Sequence, residues 1–200
     1  MSAGPARSDA GTAARILDVA EGLAQVRGFN GFSYADISAE LGITKAALHY
    51  HFAGKADLGL ALITRYSSQF IGELAVIDRA GMTPAGRLAA YASLYDRVLR
   101  KHRMCLCGML AAEFHTLPPP MQEAVTSFFD GNESWLEKAL EDGRQDGSLA
   151  FTSAARDTAR MIIACLEGAM LVARLHGDPG HFQAVAASLL AGLRRHADGV

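Results

Sequence analysis

Residues 33–52, Ser-Tyr-Ala-Asp-Ile-Ser-Ala-Glu-Leu-Gly-Ile-Thr-Lys-Ala-Ala-Leu-His-Tyr-His-Phe, leave the chain little freedom in what it builds around them. They read as two short helices joined by a tight turn. Ser33 is a candidate N-cap, and Asp36 stands in the place of a capping-box acid. Ile37 and Leu41 then fall on one helical face. Gly42 can take the positive φ of a sharp helix-ending turn. Ile43 plugs the corner, Thr44 is placed to cap the second helix, and Leu48 with Phe52 supplies its inner face. Thr44, Lys45, Ala46, His49 and Tyr50 are left pointing outward. A short, polar, low-bulk face of this kind suits a helix that enters the major groove of DNA.

The run Leu41-Gly42-Ile43-Thr44-Lys45-Ala46-Ala47-Leu48-His49-Tyr50-His51-Phe52, with Lys55 and Leu58 after it, resembles the DNA-binding signature of TetR/AcrR-family transcriptional regulators. The likeness spans roughly residues 12–62. The family commonly reads Leu-Tyr-His-Tyr-Phe where this chain reads Leu48-His49-Tyr50-His51-Phe52. An imidazole therefore stands where an aromatic hydroxyl is usual, with a shorter reach and a pH-sensitive donor.

Composition bounds the partner. Half of the 200 residues are apolar, so a sizeable core can be buried, and the net charge is −2. Within the first 55 residues Arg7, Arg15, Arg27, Lys45 and Lys55 face Asp9, Asp18, Glu21, Asp36 and Glu40. Such a chain cannot hold nucleic acid as a diffuse polycation. It needs a few well-placed cations, helix N-termini at phosphates and two copies acting together. The small, polar N-terminal residues lack the apolar core of a signal peptide, and no stretch of 18 apolar residues is present. With three cysteines, an odd number, this points to reduced thiols in a cytoplasmic protein with no membrane partner.

Helical spacing and punctuation extend along the chain. A first helix is expected from about Ala10 to Arg27, ended by Gly28, and a long one from Lys55 to about Asp78. Thr83-Pro84 starts a helix to about His102, and a short one follows from Met104 to His115. After Leu117-Pro118-Pro119-Pro120 another runs to about Gln145. Thr152 or Ser153 is placed to cap a long apolar helix to Leu175, and the last, after Gly177-Asp178-Pro179, is expected to end near His196. The fold class is all-α, with nine helices. The resemblance implies the same count, as a three-helix head on a six-helix body. The boundary is expected at 54/55, with residues 1–54 binding DNA and 55–200 binding a ligand and dimerising.

Candidate DNA contacts are Ser33, Tyr34, Thr44, Lys45, Ala46, His49, Tyr50 and Lys55. Lys45 can reach a guanine edge or a phosphate, and the hydroxyls of Thr44 and Tyr50 suit phosphate oxygens. Lys55 opens a helix whose amides already favour an anion. In the body, aromatic and Met residues recur on several helices. Tyr66, Phe70, Tyr91, Tyr95, Met109, Phe114, Phe128, Trp135, Met161 and Cys165 are candidates for a pocket that takes a small hydrophobic or aromatic effector. The same pattern also serves a plain core. Cys105 and Cys107 stand two apart on the expected sixth helix, so they face different ways and suit neither a metal clamp nor a local disulfide. Small buried hydrophobes is one reading. The alternative function is a redox- or electrophile-sensing repressor using Cys105, beside the basic run Lys101-His102-Arg103.

The chain carries no Gly-rich phosphate loop, nucleophile elbow or paired-histidine motif, so no enzyme, metal or cofactor is expected. A protein-binding use of the motif would need large apolar anchors on the outward face, and Thr44-Lys45-Ala46 offers none. Small residues in the last two helices, Ala164, Gly168, Ala169, Val172 and Leu175 with Ala184, Ala187, Ser188 and Ala191, let helices approach closely. The resemblance implies a homodimer formed there, meeting a palindromic double-stranded operator.

Overall fold

Helix ends fall where side chains can satisfy the backbone groups that a helix leaves free. The computed structural model describes residues 6–194, with side chains from Gly11 onward. Among them run nine α-helices: α1 (Ala6–Arg27), α2 (Tyr34–Leu41), α3 (Lys45–His51), α4 (Lys55–Arg79), α5 (Pro84–Leu99), α6 (Leu106–Ala112), α7 (Pro119–Gln145), α8 (Ala155–His176) and α9 (Pro179–Gly192). A 3-10 turn covers Phe114–Thr116, and extended pairing among the described residues is limited to an isolated bridge between Leu149 and Arg194. The all-α, nine-helix reading holds for these residues.

Local capping chemistry decides most boundaries. Ser33 accepts a hydrogen bond from the Ala35 amide and donates its own amide to Asp36, completing the capping box of α2. Gly42 ends α2 at φ 65°, in the left-handed region where a side chain is strained. Thr44 caps α3, Thr83 caps α5 with Pro84 next to it, and Asp178 caps α9 before Pro179.

Several expected boundaries move. α1 begins at Ala6, before Ala10. α5 stops at Leu99 rather than near His102, and His102 itself turns into the left-handed region at φ 56°. The sixth helix is only Leu106–Ala112, which puts Cys105 ahead of it and not on it. α8 starts after Ala154, with no side-chain cap from Thr152 or Ser153. α9 ends at Gly192, and His196 lies outside the described residues.

The chain divides into two compact units, each built from two stretches of sequence. One holds residues up to Ser68 together with Leu106–Val125, and the other holds Gln69–Cys105 with the residues from Thr126 on. α4 and α7 each pass from one to the other. The first unit packs Ile16, Ala20 and Ala24 of α1 with Phe29, Phe32, Ile37, Leu48, Leu58 and Leu62, all buried. The second buries Leu88, Tyr91, Leu136, Leu140, Ile162, Leu166, Met170 and Phe182. No helix among the described residues is long and apolar enough to cross a membrane.

Candidate nucleic-acid interface

α3 is held from behind by Leu48, which is fully buried, and capped by Thr44, whose hydroxyl accepts from the Ala47 amide at 3.2 Å. This fixes which face points outward. Thr44, Lys45, Ala46, His49 and Tyr50 are all exposed, Tyr50 at 75%. That exposure excludes Tyr50 from the core.

Beside α3 lies an open cleft of about 380 Å³, lined by Phe32, Ser33, Tyr34, Ala35, Lys45, His49 and Lys55. Ser33, Tyr34, Lys45, His49 and Lys55, from three separate helices and their caps, therefore meet in one place, whereas Thr44, Ala46 and Tyr50 do not line the cleft. Their polar atoms are not equally available. The Ser33 hydroxyl donates to Asp36 at 2.7 Å, and this bond holds the Asp36 carboxyl below its ordinary pKa. The Tyr34 hydroxyl donates to the Phe52 carbonyl at 3.0 Å. Burial, and secondarily the Asp57 charge, pushes the Tyr34 pKa up to about 12. Tyr34 thus works as a prop: its ring rests on that of His49 at 4.9 Å. His49 Nδ1 lies 3.0 Å from the Ala53 carbonyl, which can only accept, so the proton sits on Nδ1 and Nε2 is left for another partner.

Lys55 is the least expected member. Its ammonium donates to the carbonyls of Phe29 and Phe32 and lies over both rings, at 4.7 and 4.5 Å. Burial lowers its pKa, against the opposing pull of Glu113 and Asp36. Two of its three N–H bonds tie α4 to the loop ahead of α2.

Two acidic and basic anchors of this unit escaped sequence reasoning. Glu113 accepts from the amides of Phe29 at 2.7 Å and Asn30 at 3.2 Å, and Asn30 Nδ2 donates to Thr116. Gly28, at φ 83°, is required there, because a Cβ would come within 2.7 Å of the Glu113 carboxylate. Arg65 of α4 bridges Asp18 and Glu21 of α1 at 2.7 and 2.6 Å. Separations of 44 to 86 residues leave no local signal for any of these pairs.

In the second unit, Phe70, Tyr91, Tyr95, Phe128 and Trp135 do come together. Phe70 meets Tyr91, Tyr95 and Phe128 edge-on at 5.9, 6.2 and 5.2 Å, and Trp135 stacks on Tyr91 at 5.6 Å. The other pocket candidates lie elsewhere. Met161 is 48% exposed on α8, and Cys165 lines a shallow groove with Ala184, Val185, Ser188 and Leu189. Tyr66, Met109 and Phe114 belong to the first unit. Cys105 and Cys107 are buried. No group of three or more His, Cys, Asp or Glu among the described residues could hold a metal ion.

The C-terminal family model described as "Tetracyclin repressor-like, C-terminal domain" matches residues 84–189, and that of "Bacterial regulatory proteins, tetR family" matches residues 16–62. The chain belongs to the TetR family. Its members are transcription regulators that bind DNA through a helix-turn-helix, and the family is not one of enzymes. A TetR-family regulator from Agrobacterium tumefaciens is 34% identical and superposes with a TM-score of 0.90, over 94% of this chain and 100% of that one. A TetR regulator from Legionella pneumophila is 31% identical, with a TM-score of 0.82 over 90% and 96% of the two chains. The HTH-type transcriptional repressor NemR of Escherichia coli (strain K12) is 26% identical over 171 residues, 82% of this chain and 84% of that protein.

Proposed function

We propose that the protein is a dimeric, ligand-responsive repressor that reads a palindromic operator through α3 and leaves it when a small hydrophobic or aromatic effector binds the body. The observation that carries the reading is the exposed face Thr44, Lys45, Ala46, His49 and Tyr50 beside the cleft shared with Ser33, Tyr34 and Lys55. Lys45 and His49 Nε2 address base edges, and Ala46 lets the helix sit deep in the groove. Thr44, Tyr50 and the third N–H of Lys55 serve phosphates. Ser33 and Tyr34 act by shaping the cleft, since their hydroxyl protons already go to Asp36 and Phe52.

A single α3 covers only a few base pairs, so two copies are needed. The outer sides of α8 and α9 suit that purpose. Leu171, Val172 and Leu175 are 55%, 48% and 84% exposed on α8, and Ala184, Ala187, Ser188 and Ala191 are exposed on α9. Ala169 is buried against the chain's own core and drops out of the expected contact. A two-fold pairing there sets two α3 helices about 34 Å apart, or a multiple of it, to meet successive grooves. An effector with unequal affinity for two courses of α4, which runs through both units, shifts that spacing. Residues 1–54 supply every DNA contact named except Lys55. Residues 55–200 sense and dimerise.

Light scattering at micromolar concentration tests the pairing. The wild-type chain should run at twice its mass, and Val172→Glu with Leu175→Glu should halve that mass and abolish the sigmoidal, tight binding of a palindromic site. A wild-type monomer that binds the operator fully would end this reading. Cys105, only 1% exposed, favours a non-covalent effector over thiol sensing. A mild alkylator that lowers operator affinity in the native protein, but not in Cys105→Ser, would reverse that choice.

A further inference from the structure

The aromatic cluster of the second unit contains a chain of hydrogen bonds with a direction. Asn132 Nδ2 donates to the Phe128 carbonyl at 2.7 Å, so Asn132 Oδ1 is the acceptor that takes the Tyr91 proton at 3.0 Å. Tyr91 has one proton, and it is committed. The 3.0 Å contact between the two phenols must then use the Tyr95 proton, donated to the Tyr91 oxygen. Every phenolic proton runs toward Asn132.

Glu167 of α8 lies near enough to this chain to act on it. Its charge acts on both Tyr91 and Tyr95, and it takes a hydrogen bond from Cys105. Its Oε1 is nevertheless buried with no hydrogen-bond partner. No Lys or Arg among the described residues acts on it: burial dominates, with Cys105 as the remaining influence, and the pKa is pushed up to about 7. A buried carboxylate oxygen without a donor costs roughly 1–3 kcal/mol or more, and such groups are rare in native proteins. The phenols cannot supply the donor, because their protons point the other way. What is missing at this place is a positive charge or a strong donor, near two phenols of an aromatic cluster.

We propose that Glu167 is the polar anchor of the effector site and that the effector is a small organic cation, an ammonium group carried on an apolar or aromatic body. The carboxylate neutralises the charge, and the ring faces of the cluster beside it attract a cation through their quadrupoles. This deepens the reading of the body as an effector sensor and rests on it. It also changes the chemical class, from a neutral hydrophobe to a cation.

The chain has a single tryptophan, Trp135, and it is stacked on Tyr91, so its fluorescence reports on this cluster alone. The full-length protein is titrated with benzyltrimethylammonium and with its neutral isostere neopentylbenzene, before and after Glu167→Gln. The cation should bind the wild type roughly tenfold more tightly than the neutral probe, a difference of the size that one buried charge contact gives. Glu167→Gln should remove that preference and leave the neutral probe within about threefold of its wild-type affinity, while Glu167→Asp, which keeps the charge, should restore part of it. In the wild type the cation should bind more tightly as pH rises from 6 to 8, since Glu167 ionises there while Tyr91, Tyr95 and the Cys105 thiol are the groups around it. Equal binding of the two probes, or a cation affinity indifferent to Glu167→Gln, overturns the proposal and leaves a neutral effector standing. Binding of neither probe overturns it together with the assignment of this cluster as the effector site.

Discussion

The two compact units place their polar groups in opposite ways. In the first, the outward polar groups of α2 and α3 are set mostly by neighbours in sequence, with Lys55 and Tyr34, held from 18 to 26 residues away, as the exceptions. Thr44 caps α3 three residues on, the Ser33–Asp36 box starts α2, and Lys45, His49 and Tyr50 follow from one helical face. In the second, the polar groups are inside and are set by neighbours far along the chain. Tyr91 reaches Asn132 across 41 residues, and Glu167 of α8 acts on the phenols of α5. An exposed group is solvated whether or not DNA is present, so it can wait for a partner at little cost. A buried group must be satisfied by the fold or by a ligand. The first unit therefore keeps its polar groups at the surface, and the second stores an unmet demand.

Lys45→Ala should separate the two units most sharply. A base contact is worth about 1–3 kcal/mol, and the dimer makes it twice, so operator affinity measured by anisotropy should fall roughly 30-fold or more. The thermal midpoint should not move. A lowered midpoint would mean that Lys45 supports the fold, and that the first unit is not a free surface.

Glu167→Gln should do the reverse. The folded pKa of about 7 lies above the ordinary 4.5, so the native state holds its proton more tightly than the unfolded chain. The stability this gives is fully present below about 4.5 and is lost as pH rises to about 7. Glutamine does not ionise. At pH 8 the variant should thus be more stable than the wild type by an amount on the order of 3 kcal/mol, and the gap should close near pH 4. A gap that stays constant with pH would show that Glu167 is solvated in the native state.

Lys55→Ala blurs the contrast in a useful way. It removes a charged donor from the Phe29 and Phe32 carbonyls, so it should lower stability by about 1.5–3 kcal/mol in chemical denaturation. Part of any loss in operator affinity would then come from a loosened loop ahead of α2, and comparison with Lys45→Ala measures how much. Arg97→Ala is the expected small effect. Arg97 pairs with Glu73 at 2.8 Å on an open surface, and deleting it should change stability by less than about 1 kcal/mol.

The helix-turn-helix was legible down to single atoms because its determinants lie three to five residues apart: a capping box, a left-handed glycine, a threonine cap. Helix number and most boundaries were legible for the same reason. Tertiary packing overrode weak local signals at the ends of α5, α6 and α8, where His102 turns left-handed and Ala154 ends up as an uncapped start. The list of aromatic pocket candidates was half legible. Hydrophobic character told that such residues go inside, but not which of them share an interior. Phe70, Tyr91, Tyr95, Phe128 and Trp135 meet, whereas Met161 faces out.

By itself, then, the sequence determined an all-helical chain of the TetR family with a helix-turn-helix whose outward residues could be named in advance. Those features depend on backbone periodicity and short-range hydrogen bonds, which any window of residues contains. Only the tertiary structure decided that Lys55 faces two carbonyls, that Glu113 clamps the turn after Gly28, and that Glu167 is left with a buried, unpaired oxygen. Each depends on groups brought together from 23 to 84 positions apart or from different helices, and on how many protons remain once the nearer partners are served. No periodicity in the chain encodes that count.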